Sequence, residues 1–311
     1  MEHIEHLATK SLPAGAFYGP GKLNCDAMIL LDGKTTAQTL RDAVKIETLE
    51  LAKRGCTPGL GTILVGDDPA SATYIGAKIK ACEEAGIRSI HAQLPADATQ
   101  EKVLAQIREF NRNPAVSAFI VQLPLPRGLD EEAALLAIDP DKDADGLHPI
   151  NLGRLVMGAR GALPCTPAGI VELLRAFEVP VEGKHVVIVG RGLTIGRPLA
   201  LLLALKRPGC NAAVTVVHTG VKNLRDYTLQ ADILIAAAGS PNLIQADWVK
   251  PGAAVVGGGL TRGEGKKIVS DVDDSVAEVA GWVTPRVGGV GPMTVAMLLK
   301  NTVEAAKKQI Q

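Results

Sequence analysis

The sequence predicts a two-domain α/β protein in which each domain is built on a parallel sheet. Three observations carry that expectation. The chain has 311 residues, about twice the length of a common single domain. Short apolar runs alternate with helical patterns in two successive series, the β-α-β-α order of a parallel sheet covered on both faces. Aromatic residues make up only 3% of the chain, so the cores must be built from Leu, Ile, Val and Ala, which suits buried parallel strands.

In the first series, strands are expected near 60–65, 88–94 and 117–122, and helices near 36–54, 70–85 and 99–112. Leu40, Val44 and Leu51 form one apolar stripe on the first of these helices. A turn-rich link around Pro140–Pro149 leads to the second series. Its strands are expected near 185–189, 213–217, 232–237 and 253–257, and its helices near 167–177, 196–206 and 222–230. A last helix, about 291–309, carries Val295, Leu298, Leu299, Thr302 and Val303 on one face, and is expected to pack back on the first domain. The resulting division is 27–149 completed by 290–311 for one domain, and 150–289 for the other. Residues 1–26, with Pro13, Gly15, Gly19, Pro20 and Gly21 and no period, read as a loose N-terminal extension.

Charge narrows the function classes. Lys plus Arg equals Asp plus Glu at 33 each, which gives no electrostatic footprint for nucleic acid or a membrane surface. No apolar run reaches the ~18–20 residues that span a bilayer. The five cysteines (Cys25, Cys56, Cys82, Cys165, Cys210) are dispersed and form no C-x-x-C pair. They read as reduced thiols, and with no export-signal pattern at the N-terminus the expected compartment is the cytoplasm.

The first candidate for chemistry is Tyr74-Ile75-Gly76-Ala77-Lys78. Positions i and i+4 share a helix face, so Tyr74 and Lys78 are expected side by side. Their helix follows the strand at 60–65 and the turn Gly66-Asp67-Asp68-Pro69. They would thus stand at the carboxyl end of a strand, where open α/β sheets bind ligands. Gln122 ends the apolar strand at 117–122, with an amide that can donate and accept at once. Asp141, Asp143 and Asp145 cluster in a loop before Gly146. A solvated turn is the plain alternative there, and the loop lacks the closing Glu of an EF-hand. Thr166 and Pro167 after Cys165 fit an N-cap and a first helical position. Cys165 has no His partner nearby in sequence to activate it as a nucleophile.

The second series contains a cofactor signal. The strand His185–Val189 runs into Gly190-Arg191-Gly192-Leu193-Thr194-Ile195-Gly196-Arg197-Pro198. A strand, a Gly-rich turn and a helix N-terminus form the phosphate cradle of Rossmann-type dinucleotide domains. The next strand, 213–217, ends in His218-Thr219. An NAD-preferring fold would place Asp or Glu here for the ribose 2′-hydroxyl. A hydroxyl, an imidazole and Arg191 favour a 2′-phosphate instead, so NADP is the expected cofactor. Farther on, Gly288, Gly289 and Gly291 suggest a close main-chain approach to a ligand or to the other domain.

Taken in order and spacing, these segments resemble the bifunctional methylenetetrahydrofolate dehydrogenase/methenyltetrahydrofolate cyclohydrolase family from about Leu31 to Val303. The strings that carry the resemblance are Ser71 to Lys78, Val121 to Pro126, Lys142 to Leu147, Pro164 to Pro167, Val189 to Pro198 and Gly288 to Thr294. The resemblance implies NADP-dependent oxidation of 5,10-methylenetetrahydrofolate to the methenyl form, and hydrolysis of that form to 10-formyltetrahydrofolate. It implies a catalytic Lys78 with Tyr74 and Gln122 around it, and Asp145 holding the pterin. Ser71 and Cys165 would line the folate cleft. Gly190, Arg191, Gly192, His218, Thr219 and Leu260 would meet the cofactor, no metal is implied, and a homodimer paired through the cofactor domains is expected.

The sequence departs from the family pattern on the cofactor side. Gly192 stands where Ser is common, Gly257 where Asp is usual, and Pro285-Arg286-Val287 where Pro-Val-Pro is usual. Two other readings compete. A generic NADP-dependent dehydrogenase of a small hydroxy acid explains 185–260 but leaves Tyr74, Lys78, Gln122 and Asp145 without a common purpose. A catalytically silent folate- or nucleotide-binding homologue is the other.

Overall fold

The protein is described by a computed structural model covering residues 28–66, 69–262 and 268–310, apart from the side chains of 69–75, 260 and 262. The expected N-terminal extension therefore lies outside the described residues, as does Cys25. Among the described residues no helix is long and apolar enough to cross a membrane.

The elements alternate as the sequence predicts. The first series holds β1 (Ile29–Leu30), α1 (Gly33–Lys53), β2 (Gly59–Val65), α2 (Pro69–Ala85), β3 (Arg88–Leu94), α3 (Gln100–Arg112), β4 (Ala118–Val121) and α4 (Glu131–Leu136). The connection and second series hold α5 (Pro149–Val156), α6 (Cys165–Ala176), β5 (His185–Val189), α7 (Gly196–Ala204), β6 (Ala213–Val217), α8 (Leu224–Thr228) and β7 (Ile233–Ala236). They continue through β8 (Ala254–Gly257), β9 (Leu260–Arg262), β10 (Ile268–Ser270), β11 (Trp282–Val283) and α9 (Val290–Gln309).

Two parallel sheets result. The smaller has the order β3-β2-β4. Every residue of β2 is buried, which explains its continuous apolar run. Gly61 is needed in its middle, because a Cβ there would lie 2.7 Å from the Phe119 Cβ and 2.8 Å from the Phe110 ring. The larger sheet has the order β1-β11-β8-β7-β5-β6, with all pairings parallel. Its first strand comes from the start of the described chain, so the two halves are laced together. The short strands β1 and β11, the antiparallel β9–β10 pair and the helices α4 and α5 lack a sequence pattern long enough to announce them. Helix α5 occupies the end of what the sequence suggested was a turn-rich link.

Local chemistry sets the helix starts. Asp32 Oδ1 accepts from the backbone N–H groups of Lys34 (2.9 Å) and Thr35 (3.2 Å) at the head of α1. Thr99 and Asp130 cap α3 and α4 in the same way. Helix α9 packs back on the first half, as expected. Val295, Leu298, Leu299 and Val303 share one core with Val44, Leu51, Leu60 and Ile120. Bare backbone permits its close approach: a Cβ on Gly33 would sit 1.8 Å from the Gly289 carbonyl oxygen, and one on Gly169 would sit 2.9 Å from the Met293 Cβ. Gly33 is thus bare to admit the 288–289 main chain, and Gly288 itself takes the left-handed region with φ +90°.

Leu299 is 0% exposed in that core. Truncating it should remove a seam between the two ends of the chain, so Leu299→Ala is expected to cost about 2–5 kcal/mol. Denaturant unfolding checks this, and a loss under about 0.5 kcal/mol would show that α9 is not part of the core it joins.

Candidate active site

Strands β2 and β4 end together beside α2. Gln122 continues the β4 register, its N–H donating to the Ile63 carbonyl at 2.9 Å. Its side-chain Nε2 donates to the Leu123 carbonyl at 2.9 Å, which turns Oε1 toward α2. Lys78 Nζ donates to that oxygen at 2.9 Å. Lys78 is only 9% exposed. Burial pushes its amine below the ordinary lysine value of 10.5, and Asp145, Cys165 and Cys82 pull partly the other way.

The acidic loop separates its three carboxylates by role. Asp141 is outside, paired with Lys308 (3.0 Å) and Arg154 (3.5 Å). Asp143 is buried and holds the turn: Oδ1 accepts from Gly146 N–H (3.0 Å), and Oδ2 accepts from His148 N–H (2.9 Å) and Asn151 Nδ2 (2.9 Å). Residues 142–144 run beside β4, with Phe119 N–H donating to the Lys142 carbonyl and Ala144 N–H to the Phe119 carbonyl. That pairing carries Asp145 toward Lys78. Desolvation pushes the Asp145 carboxyl up, Lys78 pulls it down, and Asp143 adds to the rise. The amine and the carboxyl therefore each favour neutrality by burial and charge by proximity. Among the described residues no cluster of three His, Cys, Asp or Glu is poised for a metal.

Cys165 Sγ donates to the Ala144 carbonyl at 3.2 Å. Burial, Asp145 and Asp143 hold its thiol well above the ordinary cysteine value, which keeps it protonated and unreactive. Thr166 does not cap α6: the helix begins at Cys165, Pro164 occupies the cap position and no side chain caps it. The Thr166 hydroxyl is instead bonded across to the Thr294 hydroxyl of α9 at 3.0 Å. Ser71 and Tyr74 lie in α2, but their side chains are outside the described residues, as is that of Leu260 at the start of β9.

In the larger sheet the chain steps from β5 out to β6, then crosses to β7 on the other side. The loops after β5 and β7 diverge there, at the switch point where such sheets take ligands. Gly190 has φ +131°, and a Cβ on it would lie 2.1 Å from the Ala237 carbonyl oxygen. A Cβ on Gly196 would lie 2.2 Å from the Gly190 oxygen, whereas one on Gly192 would meet nothing within 4 Å. The first and last glycines are steric necessities, and the middle one is free to vary. Arg191 Nη1 lies 3.2 Å from His218 Nε2, and Gly220 N–H donates to His218 Nδ1 at 3.0 Å. Thr219 follows on the exposed rim.

The departures on this side have local partners. A Cβ on Gly257 would lie 2.8 Å from the Ser270 hydroxyl, so the Ser270 side chain fills the room a residue-257 side chain would need. Gly257 N–H is held by the Thr284 hydroxyl at 2.8 Å. Arg286 forms an ion pair with Asp274.

Sequence reasoning singled out neither Asn301 nor Asp271. Asn301 Nδ2 on α9 donates to the carbonyls of Ala144 and Leu163, both at 2.9 Å, tying the Asp145 loop to the start of α6. A lone Asn within an apolar helix face was the available signal. Asp271 has no local signal, because its partners are backbone groups far away in sequence.

A parallel sheet with a Gly-rich switch point, joined to a second α/β unit with a buried amine at its strand ends, defines a two-domain nucleotide-dependent enzyme class. Comparison with known proteins gives the family. The tetrahydrofolate dehydrogenase/cyclohydrolase catalytic domain model matches residues 31–145, and the NAD(P)-binding domain model of the same family matches residues 164–310. The chain belongs to the tetrahydrofolate dehydrogenase/cyclohydrolase family. The bifunctional protein FolD of Syntrophotalea carbinolica is 55% identical over 280 residues, 90% of this chain and 96% of that protein. The bifunctional FolD enzyme of Campylobacter jejuni superposes with a TM-score of 0.87 at 46% identity, covering 91% of this chain and 100% of that one. The Trypanosoma brucei dehydrogenase-cyclohydrolase, solved with NADP and an inhibitor, gives 0.86 at 39% identity, covering 91% and 99%.

Asp143 satisfies three buried donors. Asp143→Ala leaves them unpaired and is expected to cost about 2–4 kcal/mol, with a raised KM for folate as the Asp145 loop loosens. Thermal unfolding and folate kinetics check both, and an unchanged folate KM would separate the loop from substrate binding.

Proposed function

We propose that the protein oxidises 5,10-methylenetetrahydrofolate to 5,10-methenyltetrahydrofolate with NADP, and hydrolyses the methenyl form to 10-formyltetrahydrofolate. The observation that carries this reading is the desolvated Lys78 amine hydrogen-bonded to Gln122 and within electrostatic reach of Asp145, in a chain both of whose halves match the family.

The residue chemistry fits. The methenyl intermediate is a cation, and an ammonium beside it would repel it. A Lys78 amine neutralised by burial can instead take a proton from an attacking water. Gln122 anchors that amine, because its own amide is fixed by the Leu123 carbonyl. Asp145 is assigned to the pterin edge, where a carboxylate accepts paired N–H donors in charge-assisted bonds. Tyr74 and Ser71 are assigned to the wall of the same cleft, and Cys165 to its floor as a packed, protonated thiol.

NADP, when bound, supplies the hydride acceptor. Gly190, Gly192 and the N-terminus of α7 would hold its phosphates, and the Leu260 backbone would meet the cofactor. The Arg191–His218 contact supports the 2′-phosphate. A neutral imidazole has one donor and one acceptor nitrogen, yet both nitrogens of His218 face N–H donors. One contact is therefore donor against donor, and an anion between Arg191 and His218 would satisfy both. Thr219 adds a hydroxyl beside them.

In this reading residues 27–149 with 290–311 form the folate-binding unit and 150–289 the NADP-binding unit. A cytoplasmic homodimer is the proposed state. Strand β6 is the edge of the larger sheet, and Val216 on it and Leu201 on α7 are exposed, which offers an unpaired strand to a second copy.

One preparation should oxidise methylenetetrahydrofolate with NADP and hydrolyse the methenyl form without it; the absence of both in folded protein sinks the proposal. Lys78→Ala should lower hydrolysis by roughly 10²–10⁴-fold while NADP still binds. Wild-type hydrolysis should rise with pH through an ionisation below 10.5, because the lowered amine pKa lets the basic form accumulate earlier. A rate that falls over that range would reverse the assigned role of the amine.

A further inference from the structure

Asp271 follows β10 and is 0% exposed. Its Oδ2 accepts from the backbone N–H of Ala238 at 2.7 Å and of Gly239 at 2.9 Å. Those two residues follow β7 and form the wall of the switch-point crevice that faces Gly190. The Asp271 main chain is held as well. Its N–H donates to the Gly259 carbonyl at 3.2 Å, and its carbonyl accepts from Ile244 N–H at 2.9 Å. Gly259 is bare for the sake of this approach, since a Cβ there would lie 2.0 Å from Oδ2 and 2.5 Å from the carboxyl carbon. The Asp271 side chain thus holds the loop after β7 and packs on bare Gly259, while its main chain ties in the β8–β9 turn that leads into Leu260.

The arrangement is costly. Asp271 Oδ1 is buried with no hydrogen-bond partner, and an unsatisfied buried acceptor forfeits solvation. An apolar residue of similar size would avoid that cost but would lose the acceptor shared by two N–H groups. Local cost kept at a binding wall is the pattern of a site held for geometry and not for stability.

We propose that Asp271 is a positioning residue for the cofactor, fixing the loop after β7 and the β8–β9 turn at the spacing that NADP requires. This rests on the NADP-dependent reading above. It acts on the oxidation half of the activity alone, because the Lys78–Gln122 contact lies at the strand ends of the other sheet and hydrolysis uses no cofactor.

The test compares D271A, D271N and G259A with wild type in the full-length protein. Each is assayed for NADP Kd by calorimetry, for NADP KM in oxidation, and for NADP-independent hydrolysis. D271A should raise NADP Kd and KM by about tenfold, a loss of about 1.4 kcal/mol, with hydrolysis within about twofold of wild type. D271N keeps one acceptor oxygen for the two N–H groups and should restore both constants to within about threefold. G259A forces the carboxylate aside from the other direction and should reproduce D271A, so the proposal is tested even where D271A fails to fold. Unchanged NADP constants in folded D271A or G259A overturn it. So does an equal loss of hydrolysis and oxidation, which is the mark of a general structural role. A wild-type chain that binds NADP but turns over no folate defeats the functional reading alone, and the Kd series still decides the role of Asp271.

Discussion

A lysine amine held out of water against the amide oxygen of a glutamine is the contact on which the proposed chemistry depends. Taking an ammonium from water is costly unless partners compensate. The fold supplies incomplete compensation: one neutral acceptor at 2.9 Å and a carboxyl that is itself desolvated. The Lys78 amine is therefore held below the ordinary lysine value, the direction that the proposed proton-accepting role requires. Its neighbours are themselves held in place. Gln122 is oriented by its own neighbour, Asp145 is delivered by a turn that Asp143 caps, and Asn301 reaches from the far end of the chain to hold that turn.

The cofactor side is governed by shape. Gly190 and Gly196 are bare because other main chain occupies the space a Cβ would need. The departures from the family pattern are absorbed by neighbours: Ser270 fills the room beside Gly257, and Asp274 pairs with Arg286. Such exposed pairing contributes little to stability, so its consequence is a neutralised charge beside the 284–289 loop. The two sides meet through α9, which shares a core with α1 and β2 and hydrogen-bonds α6 through Thr294.

Much of this was legible in the residues alone. Buried strands such as β2, β5 and β7 are announced by continuous apolar runs, and α1 and α9 by their apolar stripes. The nearness of Lys78 to Gln122 could be anticipated because both follow strand ends of one sheet. The short strands β1 and β11 could not, because two residues carry no period and their pairing depends on strands more than two hundred residues apart. Thr166 misled for a related reason. Its type and position fit a cap, but a hydroxyl on α9 gave it a tertiary partner instead. Asp271 was invisible because backbone N–H groups exist at almost every position and leave no mark in sequence.

Burial, more than the nearby carboxyl, sets the direction in which the Lys78 amine is shifted. A direct titration of the Lys78 ammonium by nitrogen-detected NMR, in ligand-free protein labelled at lysine, measures it. The expected midpoint lies below 10.5 and climbs toward the free-lysine value when the chain is unfolded. A midpoint at or above 10.5 in the folded protein would mean that Asp145 outweighs desolvation, and that the amine stays charged beside a cationic intermediate it could not then assist.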